Sequence, residues 1–357
     1  MTNPPQFPDH HPHEETPMTV QHQAARPVPP MPGPMSQPPM PQLPVQTAPG
    51  RPPLILANCG PDAEGWTAYH RGALRDVVTR FGAVLVRGLG LRSHEQVANV
   101  FRLIGGDLMV EREAFAARER YPSGIYSSST WPANQPMCMH HELSYALDVP
   151  RLMMFACLTA PSAGGATGIS DAASVLNALP PALVERFERE GWVLARNYND
   201  EIGASVADAF GTDDPRAVEA YCRANKIDFQ WQPDGGLRTW QRRRAVTIHP
   251  ITGQRCWFNQ IAFLNEWTTE PEVREFLVDC YGPQGLPFTT LFGNGEPIGQ
   301  QIVDLIADVY VRHTHREPWQ PGDLLLVDNI RTAHSREPFD GQREILVGMA
   351  DPMRVSA

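Results

Sequence analysis

The segment MCMHHELSY, residues 137–145, places an imidazole (His140) and a carboxylate (Glu142) two positions apart. Read as a strand, that spacing points both side chains to one face and His141 to the other, because strand residues alternate sides. An imidazole and a carboxylate on one face can share a metal ion, given a third ligand from elsewhere. Two histidines and one carboxylate with open positions form the facial triad of non-haem Fe(II) oxygenases. Against this stands the frequency of H-x-E triplets by chance, and the many histidines that only satisfy core hydrogen bonds.

Two further segments carry residues that could act on a ligand. In residues 321–349, PGDLLLVDNIRTAHSREPFDGQREILVGM, an apolar strand (Leu324 to Val327) is followed by His334 in a polar stretch. Asp340-Gly341 then turns the chain, and Arg343 enters a second apolar strand. An arginine there is expensive unless an anion pairs with it. A chelating dicarboxylate would serve, and so would a salt bridge to Glu337, Glu344 or Asp351. In residues 160–172, APSAGGATGISDA, Gly164-Gly165 permits close backbone approach and Thr167 offers a hydroxyl donor. An ordinary glycine turn explains that segment equally well.

The elements that must position these groups can be read from periodicity. Trp66, Tyr69, Leu74, Val77, Val78 and Phe81 recur at helical spacing, which predicts a helix over 63–81 stopped by Gly82. AVLVR (83–87) reads as a strand. Ser93 with Gln96 reads as a helix start, the helix running to Ile104. MCMHHEL and RLMMFACL, within 137–158, read as strands. Residues 172–190 read as two helices divided by Pro180-Pro181. Strands are expected at 192–198, 226–231, 324–327 and 343–349, and helices at 215–224, 271–281 and 298–312. No G-x-G-x-x-G or G-x-x-x-x-G-K-[ST] motif is present, which argues against a nucleotide-binding fold.

Composition narrows the function class. The formal net charge of -10, without a Lys/Arg stripe, argues against nucleic-acid and anionic-membrane partners. Lys226 is the only lysine, a bias better explained by codon usage than by function. None of the six cysteines forms a C-x-x-C pair, so zinc-ribbon and thioredoxin readings fail, and buried thiols in a reducing, cytoplasmic setting are expected. No signal peptide or membrane-length apolar run is read. Fifteen of the first fifty residues are proline, so 1–52 is expected to be a disordered tail and 53–357 the folded domain. His10, His11 and His13 in that tail read as a solvated patch.

Taken together and in order, the motifs resemble the TauD/TfdA (taurine dioxygenase) family, in particular its clavaminate-synthase-like and syringomycin-type branch. HHELSY is similar to that branch's H-x-E-[ML]-S-Y, PRLMMFAC to P-R-x-x-x-F-x-C, and GGAT to G-G-x-T. HPITGQRCWFNQ, His249 to Gln260, is similar to H-P-x-T-G-x-x-x-W-F-N-Q. GDLLLVDN and HSREPFDGQR complete the set. The resemblance spans about residues 60–350.

It implies a mainly β, α+β fold. A double-stranded β-helix (jelly-roll) core would carry N-terminal helices and a long helical insertion between Ala172 and Trp319. It implies Fe(II) held by His140, Glu142 and His334, with 2-oxoglutarate and O2 as co-substrates. Arg343, with Thr167, would take the distal carboxylate of 2-oxoglutarate. Arg336 would face the co-substrate or the substrate. His249, His313 and His315 fall outside the pattern and read as structural or surface residues.

Halogenases of the superfamily lack the carboxylate ligand, so Glu142 favours hydroxylation, desaturation, epoxidation or cyclisation. The branch implies an amino-acid-type substrate in natural-product (antibiotic) biosynthesis, free or tethered to a carrier protein. Trp240, Trp257, Phe258 and Asn259 are candidates to line its pocket. Two other readings remain: a zinc hydrolase using the same three ligands, and a non-catalytic jelly-roll binding protein. Oligomeric state is not encoded in any motif read here.

Overall fold

Two sheets carry the candidate residues. In the computed structural model, which describes residues 42–356 apart from 117, 200 and 234, the larger sheet has six strands. Their order is Leu54–Leu56, Ala83–Arg87, Leu324–Asp328, Asp148–Thr159, Glu344–Arg354 and Tyr126–Ser127. The first pair is parallel and the rest are antiparallel. The smaller sheet is antiparallel, in the order Thr314–His315, Thr167–Asp171, Thr332–Arg336 and Met137–His140.

The long apolar runs follow from burial on both faces of the larger sheet. Met153, Phe155, Leu325, Val327, Ile345 and Val347 pack in one cluster with Met137, Met139 and Ile169 of the smaller sheet. Their neighbours Leu152, Met154, Leu324, Leu326 and Leu346 pack in a second cluster with Leu74, Val78, Val97 and Phe101 of the two N-terminal helices. Alternate residues thus serve opposite layers, and neither face can be polar. Two sheets enclosing a common core make the jelly roll expected above.

The first helix, Ala63–Phe81, begins where Asp62 accepts a hydrogen bond from Gly65 N and ends at Gly82, φ 82°. The second, His94–Gly105, is capped by Ser93, which accepts from Gln96 N. The insertion holds a further four-stranded sheet, Phe288–Phe292, Trp192–Tyr198, Leu237–Arg243 and Asp228–Trp231. Strand Leu237–Arg243 escaped the sequence reading because its inner face is Leu237, Thr239, Gln241 and Arg243 rather than an apolar row. Arg243 is buried there because the carbonyls of Tyr145 and Asn225 accept from it.

Residues 1–41 of the expected tail lie outside the described residues. Its last stretch is built into the fold: Gln46 and Leu54 exchange backbone hydrogen bonds of 2.8 and 2.9 Å, and Leu43 and Val45 pack on the core. Among the described residues, no helix is long and apolar enough to cross a membrane.

Candidate metal centre

His140 ends its strand; the residues after it turn, and Leu143 adopts φ 54°. Glu142 is therefore not on the strand, and the alternation expected to bring it beside His140 does not operate. Asn329 does the work instead. Its Oδ1 accepts from Glu142 N at 2.7 Å, and its Nδ2 donates to Glu142 O at 2.9 Å and Pro150 O at 2.8 Å. A side-chain amide here takes the place of a neighbouring strand's peptide group. His141 turns away and donates from Nδ1 to Asn329 O at 2.6 Å. Gln260 pins the same turn by donating to His141 O at 2.7 Å.

His334 lies on strand Thr332–Arg336 and is in register with His140 on the adjacent strand. The sequence reading left it in a polar stretch because T-A-H-S-R shows no apolar alternation. His334 Nε2 lies 3.6 Å from Glu142 Oε2, and His140 Nε2 lies 4.0 Å from it. Ligand atoms of all three residues fall within 4.8 Å of one another, and all three residues are buried. His140 Nδ1 donates to Cys138 O at 2.8 Å, which fixes the tautomer and leaves Nε2 with a lone pair. Phe263 stacks on the His140 ring at 4.7 Å, and Phe155 packs on His334 at 5.1 Å.

The electrostatics suit a cation. Burial, with the His334 ring beside it, holds His140 down to about 3, so it is neutral at neutral pH. Burial works to raise the Glu142 carboxyl, but Arg118 and the two imidazoles outweigh it and hold it below the usual carboxylate range. A neutral imidazole at His140 and an ionised carboxylate at Glu142 are protonation states that suit a divalent metal.

The same cavity is lined by Thr167, Arg336 and Arg343, with Phe155, Ile345 and Val347 as apolar walls. Arg343 precedes its strand, Glu344–Arg354, rather than lying within it, and a register shift follows it. Its Nε donates to Gly165 O at 3.1 Å, and Nη1 reaches Ser128 Oγ at 3.5 Å. The alternative salt bridges are all taken. Glu337 pairs with Arg316, Glu344 with His94, and Asp351 with Arg75 and Arg151. Burial, then the nearby Arg336 charge, push Arg343 down to about 10, so it is still cationic at neutral pH. Gly165, φ 68°, allows this approach: a Cβ there would lie 2.7 Å from Pro161 Cγ and 3.2 Å from Arg343 Cδ.

Arg336 lines the cavity, but its terminal nitrogens are committed elsewhere. Nη1 donates to Trp131 O at 3.0 Å, and Nη2 donates to Pro132 O at 2.6 Å and Gln135 O at 2.9 Å. Only Nε lacks a partner among the described residues. The four pocket candidates do not line the cavity. Trp257 packs on Phe187, Phe258 packs on His141, Asn259 donates to Ala245 O, and Trp240 lies under Arg238 in the insertion sheet. His249 is fully buried and bound to Asp328 at 2.9 Å, a structural role rather than a surface one. His313 and His315 are not part of the cluster.

Residues 52–350 match the family described as taurine catabolism dioxygenase TauD, TfdA. The chain belongs to the TauD/TfdA dioxygenase family. It is 33% identical over 304 residues to the dapdiamide synthesis protein DdaC of Enterobacter agglomerans, covering 85% of this chain and 92% of that one. It is 26% identical over 279 residues to a clavaminate synthase-like protein of Arabidopsis thaliana, covering 75% and 81%. Among solved structures, a taurine dioxygenase from Burkholderia xenovorans aligns with TM-score 0.50 at 16% identity, covering 88% and 92%. AAD-2, solved with Mn(II) and N-oxalylglycine, aligns with TM-score 0.51 at 12% identity, covering 88% and 100%. Both share the jelly-roll fold. TauD/TfdA proteins of this class are oxygenases that use Fe(II), 2-oxoglutarate and O2, and this chain is a dioxygenase of that class.

Two site residues carry no signal in the sequence. Asn329 acts on Glu142 from 187 residues away, which no local pattern marks. Arg118, which donates to both Glu142 oxygens at 2.9 and 3.1 Å, sits in the charge-rich run EREAFAARER, which has no period to mark it.

Proposed function

We propose that this dioxygenase oxidises an amino acid, or an intermediate derived from one, in natural-product assembly. Hydroxylation is the reaction put forward; desaturation, epoxidation and cyclisation differ from it in the fate of the substrate, not in the metal centre. In this reading His140, Glu142 and His334 hold the iron, and Arg343, with Thr167, holds the distal carboxylate of 2-oxoglutarate.

The observation that carries the reading is Arg343. It is a half-buried guanidinium with no carboxylate partner among the described residues, in the cavity that the three candidate ligands line. A zinc hydrolase would leave that charge without a purpose. The fit is chemical as well: three convergent ligand atoms suit a divalent ion, and a fixed cation in the same cavity suits a dianion.

When bound, iron, 2-oxoglutarate and O2 supply the oxidant that takes a hydrogen from the substrate. The protein's part is positional. His140 and His334 present Nε2, with Phe263 and Phe155 fixing their rings. Phe155, Ile345 and Val347 keep the cavity apolar apart from its anchors. Glu142 occupies the ligand position that halogenases leave open, so halogenation is not proposed.

On the Arg118 side a cavity of about 570 Å³ carries Glu111, Arg112, Arg120 and Asp208. Charges of both signs beside the metal centre suit a zwitterion, which supports an amino-acid substrate. The similarity to a dapdiamide synthesis protein supports a biosynthetic setting. A carrier-tethered substrate belongs to the same proposal.

The test is succinate release from 2-oxoglutarate with Fe(II), ascorbate and O2, against free amino acids and their carrier-tethered forms. Substrate-stimulated succinate with a product gaining one oxygen atom is expected. A product losing two hydrogens would replace hydroxylation by desaturation or cyclisation. Iron-loaded protein that neither binds 2-oxoglutarate nor releases succinate would overturn the reading.

A further inference from the structure

Arg118 is buried between two carboxylates. Its side chain is 10% exposed, and its Nη2 donates to Glu142 Oε1 at 2.9 Å and Oε2 at 3.1 Å. On its other side Glu111 Oε1 lies 3.8 Å from Nε, and the Glu111 side chain is 7% exposed. Burial raises the Glu111 carboxyl, and the positive charge of Arg118 opposes that rise.

The two oxygens of Glu142 are not equivalent. Each imidazole makes its closest approach to Oε2, at 3.6 Å from His334 and 4.0 Å from His140, whereas the shorter bond from Arg118 goes to Oε1. Arg118 Nη2 bonds both oxygens but lies nearer Oε1, so the carboxylate is held with Oε2 turned toward the histidines.

We propose that Arg118 is a positioning residue: it holds Glu142 as a one-oxygen metal ligand, and Glu111 in turn fixes Arg118. The proposal rests on the ligand set assigned above. A carboxylate released from such a hold can give a cation both oxygens. A facial triad serves by leaving positions open for co-substrates. A second oxygen from Glu142 would compete with 2-oxoglutarate for such a position. Arg118 also lines the cavity that carries Glu111, Arg112 and Asp208, so the residue that sets the ligand's geometry borders the proposed substrate site.

The test uses the full chain loaded with Co(II), whose visible absorption reports coordination number, and needs no turnover. For Arg118→Met the Co(II) bands without 2-oxoglutarate should change shape and intensity. The 2-oxoglutarate Kd of the Co(II) protein should rise about tenfold or more, the usual scale for losing a group that orients a ligand. Arg118→Lys should recover most of both, since it restores a charged donor. Glu111→Gln keeps the size and removes the charge; it should shift the bands the same way by less, and it carries the test where Arg118→Met does not fold.

A merely structural Arg118 would lower the melting temperature and leave the bands and the Kd of the folded protein unchanged, which overturns the proposal. His334→Ala separates the two levels of the argument. If wild type takes up no Co(II), or His334→Ala takes it up equally well, the ligand set fails and the proposal with it. If uptake depends on His334 but Arg118→Met and Glu111→Gln behave as wild type, the positioning role alone fails.

Discussion

Arg118 and Arg343 line one cavity, both are at least half-buried, and their surroundings are opposite. Arg118 has Glu142 and Glu111 beside it; burial works against its charge, but the two carboxylates outweigh that and raise its pKa. Arg343 has a carbonyl and a hydroxyl for partners, and its pKa falls to about 10 through burial and the neighbouring Arg336 charge. Leaving an ion buried and unpaired costs several kcal/mol after relaxation, on the order of a domain's net stability. A charge neutralised from within belongs to the framework of the site. A charge left without an anion marks where an anion from outside will sit.

The largest effect bears on what the two arginines surround. His140→Ala or His334→Ala should reduce succinate formation to the background rate and abolish metal uptake, measured by Co(II) titration. Activity near wild type would remove the metal centre, and the contrast between the arginines would lose its meaning.

Next in size, the two arginines should respond oppositely to truncation without ligands. Arg118→Met leaves Glu142 buried and uncompensated, so denaturant unfolding should show a loss of about 3–5 kcal/mol. Arg343→Met removes a half-buried charge with no carboxylate partner among the described residues and should be neutral or stabilising by about 1–2 kcal/mol. Equal losses in both would mean that Arg343 is satisfied in the ligand-free protein after all.

Adding ligand should reverse the ranking. With metal present and O2 excluded, 2-oxoglutarate at about a hundred times its Kd stabilises wild type by about 2.7 kcal/mol by linkage. Arg343→Met should lose most of that, because removing a charge-assisted bond worth about 3 kcal/mol weakens binding about a hundredfold. Calorimetric melting with and without 2-oxoglutarate measures it. An unchanged shift would move the anchor away from Arg343.

What could be read in advance divides along the same line. That His140, Glu142 and His334 come together, and that Arg343 lines the same cavity, was legible because these are chemically distinctive residues in long motifs held in register. The strand pattern was legible where both faces are buried, as in Leu324–Asp328, whose residues are apolar up to Asp328. The means by which Glu142 is brought beside the two histidines was not legible. The expected strand alternation stops at His140, and a side-chain amide 187 residues away takes over. Arg118 was silent for a similar reason, because its role depends on a contact across 24 residues that no local period marks. Strand Thr332–Arg336 has no apolar alternation and is fixed instead by its ladders to the Met137–His140 and Thr167–Asp171 strands.

The smallest predicted effect concerns the third arginine of the cavity. Arg336 resembles neither of the others: its Nη atoms hold the carbonyls of Trp131, Pro132 and Gln135, so it fastens that loop rather than answering a charge. Lysine is a point donor and cannot span three carbonyls as a planar fork does. Arg336→Lys should therefore cost about 1–2 kcal/mol of stability through lost hydrogen bonds. It should change the KM for 2-oxoglutarate by less than about threefold, since a difference under about 0.65 kcal/mol is expected for a residue that does not touch the ligand. A rise in KM comparable to that of Arg343→Met would show instead that the free Nε reaches the co-substrate. The cavity would then hold its dianion with two cations, and the mutual repulsion that lowers the pKa of Arg343 would be relieved by the ligand they share.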